Sequence, residues 1–174
     1  MPNHWESFLK AFPYSRLTKA PAVCRVRAVG FSEPPVFEDA YQQPFKPEGF
    51  AKTAREYQHD DVAYEVECDW DLMRLDNDWR LGPVRVGLFC FGPEYDNEVG
   101  DHLRIDFGVE DLFLPHVGDD ASLRTSQANL KSLLHLVSDI GKKLQLERKH
   151  LWSESGTNFA AKLEEAAGLG LLPQ

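Results

Sequence analysis

The sequence has 174 residues, of which 43% are hydrophobic and 27% are charged, as in globular proteins rather than disordered chains. This length suits one ordinary domain, so we predict a single α+β domain over residues 1–174. The net charge of −9 argues against nucleic acid or an anionic membrane as the main partner. No stretch approaches the 18 consecutive apolar residues of a membrane span.

The cysteines and the first residues of the chain point to a cytoplasmic protein. The three cysteines, Cys24, Cys68 and Cys90, are an odd number without CxxC spacing, and each lies in an apolar or alternating stretch. The N-terminal residues lack the basic and apolar regions of a signal peptide. We therefore expect three free, partly buried thiols.

The first predicted elements are a helix and a strand. Trp5, Phe8, Leu9 and Phe12 recur at the i, i+3, i+4 and i+7 spacing of one helix face. Residues 23–31 have the apolar character of a strand, which the sequence predicts to follow the helix.

Residues 32–49 form a proline- and aromatic-rich segment, which we predict to be a long irregular loop. Its aromatic residues Phe37, Tyr41 and Phe45 have two interpretations. They pack back on the core, or they form a binding arm or lid, because long loops in compact domains are often functional. A short helix over 47–57 follows, since Pro47 is favoured in a first helical turn.

Three strands are predicted next, over 62–72, 84–91 and 103–109. Apolar and polar residues alternate along them, as in an antiparallel sheet with one covered face. The residues 76–78 between the first two suit a turn.

The clearest helix is predicted over 126–146, capped by Thr125 or Ser126. Its apolar spacing places Leu134 on the buried stripe. The residues that define this stripe are Leu130, Leu133, Leu134, Val137, Ile140, Gly141 and Leu144. A last helix is expected over 158–167. The order of elements predicts an α+β fold, with a single antiparallel sheet of about four or five strands and helices packed mainly on one face.

The most unusual feature is the polar side of the strand 62–72, which carries Glu65, Glu67, Asp69 and Asp71. These like charges repel one another and need relief. In one interpretation they form a solvated face with cross-strand partners such as Arg85 or Arg104. In the other they form a contact surface for a basic protein, which charge complementarity would steer.

Motifs for catalysis and cofactors are weak. His59-Asp60-Asp61 has metal-binding residue types, but no HExxH accompanies it, and phosphate-binding glycine loops are missing from the sequence. Cys90 and Ser155 are poor candidates for nucleophiles, because the first is predicted buried and the second does not fit GxSxG. The sequence therefore predicts neither a metal nor a cofactor.

The function that follows is a non-catalytic cytosolic binding protein, with the acidic strand steering a basic protein partner and Phe37, Tyr41 and Phe45 as apolar anchors. A bacterial toxin-immunity or antitoxin-type inhibitor fits this description. The alternative is a small hydrolase-like enzyme or ligand-binding domain with a cleft near residues 94–102. Its polar lining would be Glu94, Asp96, Glu98, Asp101 and His102.

Overall fold

The elements of the fold come from a computed structural model that describes residues 2–28, 30–97, 100–108, 110–114, 119–146, 148–151 and 153. Within these residues lie three α-helices, one short 3-10 helix (Glu110–Leu112) and five strands. In chain order the elements are α1 (Pro2–Ala11), β1 (Ala22–Arg27), β2 (Phe37–Tyr41), α2 (Pro47–Glu56), β3 (Ala63–Leu75), β4 (Trp79–Phe91), β5 (Leu103–Asp106) and α3 (Asp120–Leu144).

The strands form one antiparallel sheet in the order β2-β1-β3-β4-β5. Its centre is the hairpin of β3 and β4, which pair over their whole length from Ala63↔Phe91 to Leu75↔Trp79. β1 pairs only with the first part of β3, and β5 only with the end of β4. The tip of the β3–β4 hairpin therefore extends beyond its neighbouring strands. The predicted α+β fold with a single antiparallel sheet is confirmed.

The segment 32–49 is not wholly irregular, so that prediction is wrong for part of it. Residues 37–41 form the edge strand β2, paired with β1 from Ala22↔Tyr41 to Val26↔Phe37. The strand is short, and its three central residues are exposed, so it lacks the apolar alternation that identified the other strands. The helix predicted after it is confirmed, since α2 begins at Pro47.

The hydrophobic core combines one face of the sheet with residues from all three helices. From β3 it takes Val66, Cys68, Trp70 and Leu72. The α1 residues expected on one apolar face, Trp5, Phe8, Leu9 and Phe12, are all buried in it. The alternation of β3 and the helical period of the first segment are both confirmed.

The start of α3 differs from the prediction. The helix begins at Asp120, and the carboxylate of Asp119 caps it by accepting hydrogen bonds from the backbone N–H groups of Ala121 and Ser122. Thr125 and Ser126, predicted as caps, lie inside the helix and donate to backbone carbonyls of the preceding turn. The predicted helix over 158–167 lies outside the described residues.

The buried face of α3 is also rotated relative to the prediction. Leu134, predicted on the buried stripe, is only partly buried, whereas the adjacent Leu133 is almost completely buried. The first half of the buried face is polar, and its second half includes Leu136, which the predicted stripe lacked. The buried residues are Ser122, Thr125, Ser126, Asn129, Leu133, Leu136, Ile140 and Leu144.

Candidate binding surface

The side of the sheet opposite the core side chains of β3 carries charged residues from all five strands, and we call it the charged face. Directly paired residues of antiparallel strands share a face, so the register assigns its members. Its charged residues are Arg25, Arg27, Glu38, Glu65, Glu67, Asp69, Asp71, Arg85, Arg104 and Asp106.

Arg25 is the centre of an ion-pair network on this face. Its Nη1 donates to Glu65 Oε1 and Glu67 Oε2, each at 2.8 Å, and its Nε donates to Glu38. Arg27 Nε donates to the other oxygen of Glu65 at 2.8 Å. Desolvation lowers the pKa of Arg25, but the hydrogen bonds to Glu38 and Glu67 and the charges of Glu65 and Glu67 together raise it above the usual value, so the guanidinium stays charged.

Arg85 supplies a second source of positive charge to the acidic strand, as expected. Its Nη1 lies 3.4 Å from Asp69 Oδ1, and its Nε lies 3.9 Å from Glu67 Oε1. Arg104, the other expected partner, instead pairs with Asp101 at 2.8 Å, because its strand position is opposite Phe89 rather than a carboxylate. Arg25 and Arg27 were not predicted as ion-pair partners of the acidic strand, because only the pairing of β1 with β3 brings them next to it.

Two of the four carboxylates hold the chain between α1 and β1. Thr18 Oγ1 donates to Asp69 Oδ2 at 2.6 Å. Ser15 Oγ and the Arg16 N–H both donate to the carboxylate of Asp71. These contacts give Asp69 and Asp71 a structural role, and sequence reasoning missed their hydroxyl partners because they lie more than fifty residues away.

The aromatic residues proposed as anchors lie on or in the core. Phe45 is buried, and its ring contacts Tyr14 and Tyr41. Phe37 and Tyr41 are partly buried against Phe50 of α2. Their packing supports the first interpretation of the segment 32–49, in which the aromatic residues complete the core.

A second aromatic group, which we call the aromatic cluster, lies at one end of the charged face. It consists of Phe31, Phe89, Phe91 and Tyr95. Phe91 and Tyr95 are buried there with Ala63, and Phe89 packs against them. The guanidinium of Arg27 lies 5.3 Å from the ring centroid of Phe31, and that of Arg104 lies 4.9 Å from that of Phe91. Phe31 falls at the end of the predicted strand 23–31, but β1 ends at Arg27 and Phe31 lies in the turn that follows.

The residues of the proposed catalytic cleft follow the end of β4. Glu94 and Asp96 are exposed, Asp101 is paired with Arg104, and Glu98 lies outside the described residues. His102 is exposed, and its backbone carbonyl accepts a hydrogen bond from Phe91. Within the described part of this loop, no hydrogen bond or ion pair joins the His102 ring to these carboxylates.

The three cysteines are free and buried, as predicted. Burial raises the pKa of the Cys90 thiol to about 12, and it raises those of Cys24 and Cys68 as well. A thiol with such a pKa is protonated at neutral pH and is therefore a poor nucleophile. The described residues contain no group of three or more His, Cys, Asp or Glu side chains placed to hold a metal ion.

Comparison of the chain with known protein families, with curated proteins and with solved structures found no match. Among the helices of the described residues, none combines the length and apolar character needed to cross a membrane. Function is therefore inferred from the fold and from the chemistry of its surface.

Proposed function

We propose that this protein is a non-catalytic binding protein that engages a basic protein partner through the charged face of its sheet. The observation that carries the proposal is the excess of acid on that face, where six carboxylates are matched by four arginines. The carboxylates are Glu38, Glu65, Glu67, Asp69, Asp71 and Asp106, of which Glu65 and Asp69 are buried, and the arginines are Arg25, Arg27, Arg85 and Arg104.

The ion-pair network supports binding because it fixes the side chains before a partner arrives. Arg25 holds Glu38 and Glu67, whose side chains are 52% and 37% exposed, so both carboxylates are ordered and accessible. Binding to ordered groups avoids part of the entropy lost when flexible side chains become fixed. The face therefore presents acid in a defined pattern to a partner.

Charge complementarity supports a basic protein as that partner. Acidic groups on one surface and basic groups on the other accelerate diffusional encounter and select against acidic competitors. With the net charge of −9, these properties fit a cytoplasmic inhibitor that acts by occupying a basic surface, such as an immunity protein or antitoxin directed against a bacterial toxin.

The test compares the wild type with a Glu38→Lys/Glu67→Lys variant. Each serves as bait in a native lysate, and the protein retained by the wild type is identified, purified and used in association kinetics at several salt concentrations. We expect the variant to associate about tenfold more slowly and to depend less on salt.

The matched control is Asp76→Lys/Asp78→Lys, which makes the same change in charge at the tip of the β3–β4 hairpin. It should associate with the identified protein nearly as fast as the wild type. Equal rates and salt slopes for the wild type and the Glu38→Lys/Glu67→Lys variant would contradict the proposal.

A further inference from the structure

The aromatic cluster has an outer ring that remains open to solvent. Phe31 is 46% exposed, and its ring centroid lies 5.8 Å from that of Phe89 and 6.1 Å from that of Tyr95, in edge-to-face geometry. Such contacts fix the orientation of the ring. Phe31 is therefore an ordered aromatic side chain that solvent can still reach, as is expected of a residue that anchors an interface.

Small residues beneath the cluster leave space for its aromatic rings to pack against the sheet. Ala63 is completely buried beside Phe91 and Tyr95. At Gly87, a Cβ atom would approach the Phe89 ring to 2.6 Å, so the lack of a side chain leaves room for that ring over the strand. The result is an apolar patch lying on β3 and β4.

Four exposed carboxylates lie on two adjoining loops beside the patch, and we call them the acidic rim: Asp60, Asp61, Glu94 and Asp96. The backbone N–H of Glu94 donates to the carbonyl of Asp60 at 2.8 Å, which joins the loops. At Gly92, a Cβ atom would come within 2.2 Å of the same carbonyl, so this close approach requires glycine. Tyr95, between Glu94 and Asp96, connects the rim to the aromatic cluster.

The acidic rim differs from the charged face in how far arginines neutralise its carboxylates. Arg25, Arg27 and Arg85 pair with carboxylates of β3, as described above. By contrast, across the described residues no lysine or arginine makes an ion pair with Asp60, Glu94 or Asp96, while Asp61 has His59 Nδ1 at 3.4 Å. The carboxylates of Asp60, Glu94 and Asp96 thus lie, without such an ion pair, near an exposed aromatic ring on which the guanidinium of Arg27 also packs.

We propose that the aromatic cluster and the acidic rim together form the docking site for a basic segment of the protein partner. The proposal rests on the proposed function and adds a contact site at the end of the charged face. An apolar side chain of the segment packs on Phe31, and flanking lysines or arginines reach the rim. Charge complementarity selects a basic protein segment over nucleic acid, whose phosphates the rim would repel.

The first experiment is an NMR titration of the isotope-labelled protein with a short peptide of lysine and leucine residues. The same peptide with glutamate in place of each lysine is the control probe. We expect the lysine peptide to shift the backbone amide signals of Phe31, Asp60, Asp61, Glu94 and Asp96, and the glutamate peptide to leave them in place.

Variants then test the two parts of the site with the lysine peptide. We expect Glu94→Lys/Asp96→Lys to weaken binding about tenfold and Phe31→Ala about fivefold. Two controls should bind within about twofold of the wild type. They are Asp76→Lys/Asp78→Lys, which makes the same charge change at the opposite end of β4, and Leu123→Ala, which truncates another exposed apolar side chain.

The outcomes separate the two proposals. Shifts confined to the surroundings of Glu38 and Glu67 would overturn this docking site and leave the proposed function standing. Shifts confined to the hairpin tip, or no binding of the lysine peptide at all, would overturn both. The NMR spectrum of each variant also shows whether it is folded, so lost binding is not confused with lost structure.

Discussion

The side-chain amide of Asn129 on α3 satisfies both backbone polar groups of Met73 on β3. Its Oδ1 accepts from the Met73 N–H at 2.7 Å, and its Nδ2 donates to the Met73 carbonyl at 2.7 Å and to the Leu112 carbonyl at 2.8 Å. Because β1 pairs with β3 only as far as Glu67, this edge of β3 lies beyond the neighbouring strand. The amide therefore takes the place of a strand and fastens α3 to the sheet.

Replacing Asn129 by alanine should destabilise the protein by about 3 kcal/mol, because it leaves buried backbone groups without partners. Asn129 is only 1% exposed, so water cannot readily take its place. Urea unfolding measures the loss. Gln127→Ala, at an exposed position of the same helix, is the control and should change stability by less than about 0.5 kcal/mol. A loss below about 1 kcal/mol for Asn129→Ala would show that these hydrogen bonds contribute little.

The position of the buried face of α3 gives a second prediction. Leu133→Ala should cost about 2–5 kcal/mol, because Leu133 is 3% exposed and its truncation leaves a cavity in the core. Leu134→Ala makes the same chemical change at a partly buried position and should cost less than about 1.5 kcal/mol. Denaturant melts of the two variants compare them directly. A greater loss for Leu134→Ala would place the buried face where the sequence had predicted it.

The error at Leu134 shows how far hydrophobic spacing reaches. The spacing located a helix and several of its buried residues, including Leu133, Ile140 and Leu144. It could not include Asn129, because a buried asparagine looks like a surface residue until its backbone partners are known. Those partners belong to β3 and to residue 112, and only the tertiary structure brings them together.

The same limit applies to the charged face. Strict alternation was enough to put Glu65, Glu67, Asp69 and Asp71 on one side of a strand. Their partners depend on which strands are neighbours and on the register in which those strands pair, and the alternation pattern determines neither. The sequence therefore did not predict Arg25 as an ion-pair partner, although it lies directly opposite Glu65 on the neighbouring strand. Phe31 was predicted to end a strand, whereas it lies in a turn, and only the tertiary structure brings its ring to the aromatic cluster.

The buried cysteines give a third prediction, on reactivity. In the native protein at pH 8, a thiol reagent should label Cys24, Cys68 and Cys90 slowly, because burial excludes the reagent and raises their pKa values. In denaturant all three should react at the rate of a small thiol. Rapid native labelling would show that a cysteine is accessible and would reopen the hypothesis of a nucleophilic Cys90.

The raised thiol pKa values also predict how the stability of the protein changes at high pH. The thiol pKa is 9.0 without the protein environment and about 12 for folded Cys90, so the folded state favours the protonated form. This contribution to stability is fully present below about pH 9 and is lost as the pH rises toward 12. We expect the free energy of unfolding to fall steadily over that range in urea melts. The triple Cys→Ala variant should show a weaker dependence on pH, and an unchanged slope would assign the loss to other groups.

The final prediction concerns the ion pair of Arg25 and Glu65, whose side chains are 18% and 10% exposed. Arg25→Met should cost about 3 kcal/mol, because it removes one partner of Glu65 and leaves a largely buried carboxylate with less compensation. Glu65→Gln alone should also destabilise the protein. The double variant Arg25→Met/Glu65→Gln should lose less than the sum of the two, by about 1–2 kcal/mol, because it no longer buries the charge. Urea unfolding of the four proteins completes the double-mutant cycle.

An exposed ion pair at the tip of the β3–β4 hairpin provides the control for this cycle. Arg80 and Asp76 are 67% and 44% exposed, and water solvates either charge when the other is removed. The cycle Arg80→Met/Asp76→Asn should therefore show a coupling below about 0.5 kcal/mol, and high salt should abolish it. The coupling of Arg25 and Glu65 should largely persist in high salt, since ions do not enter a largely buried pair. If the stability losses of Arg25→Met and Glu65→Gln simply add, the ion pair has no coupling energy. The charged face would then be less rigid than its hydrogen bonds indicate.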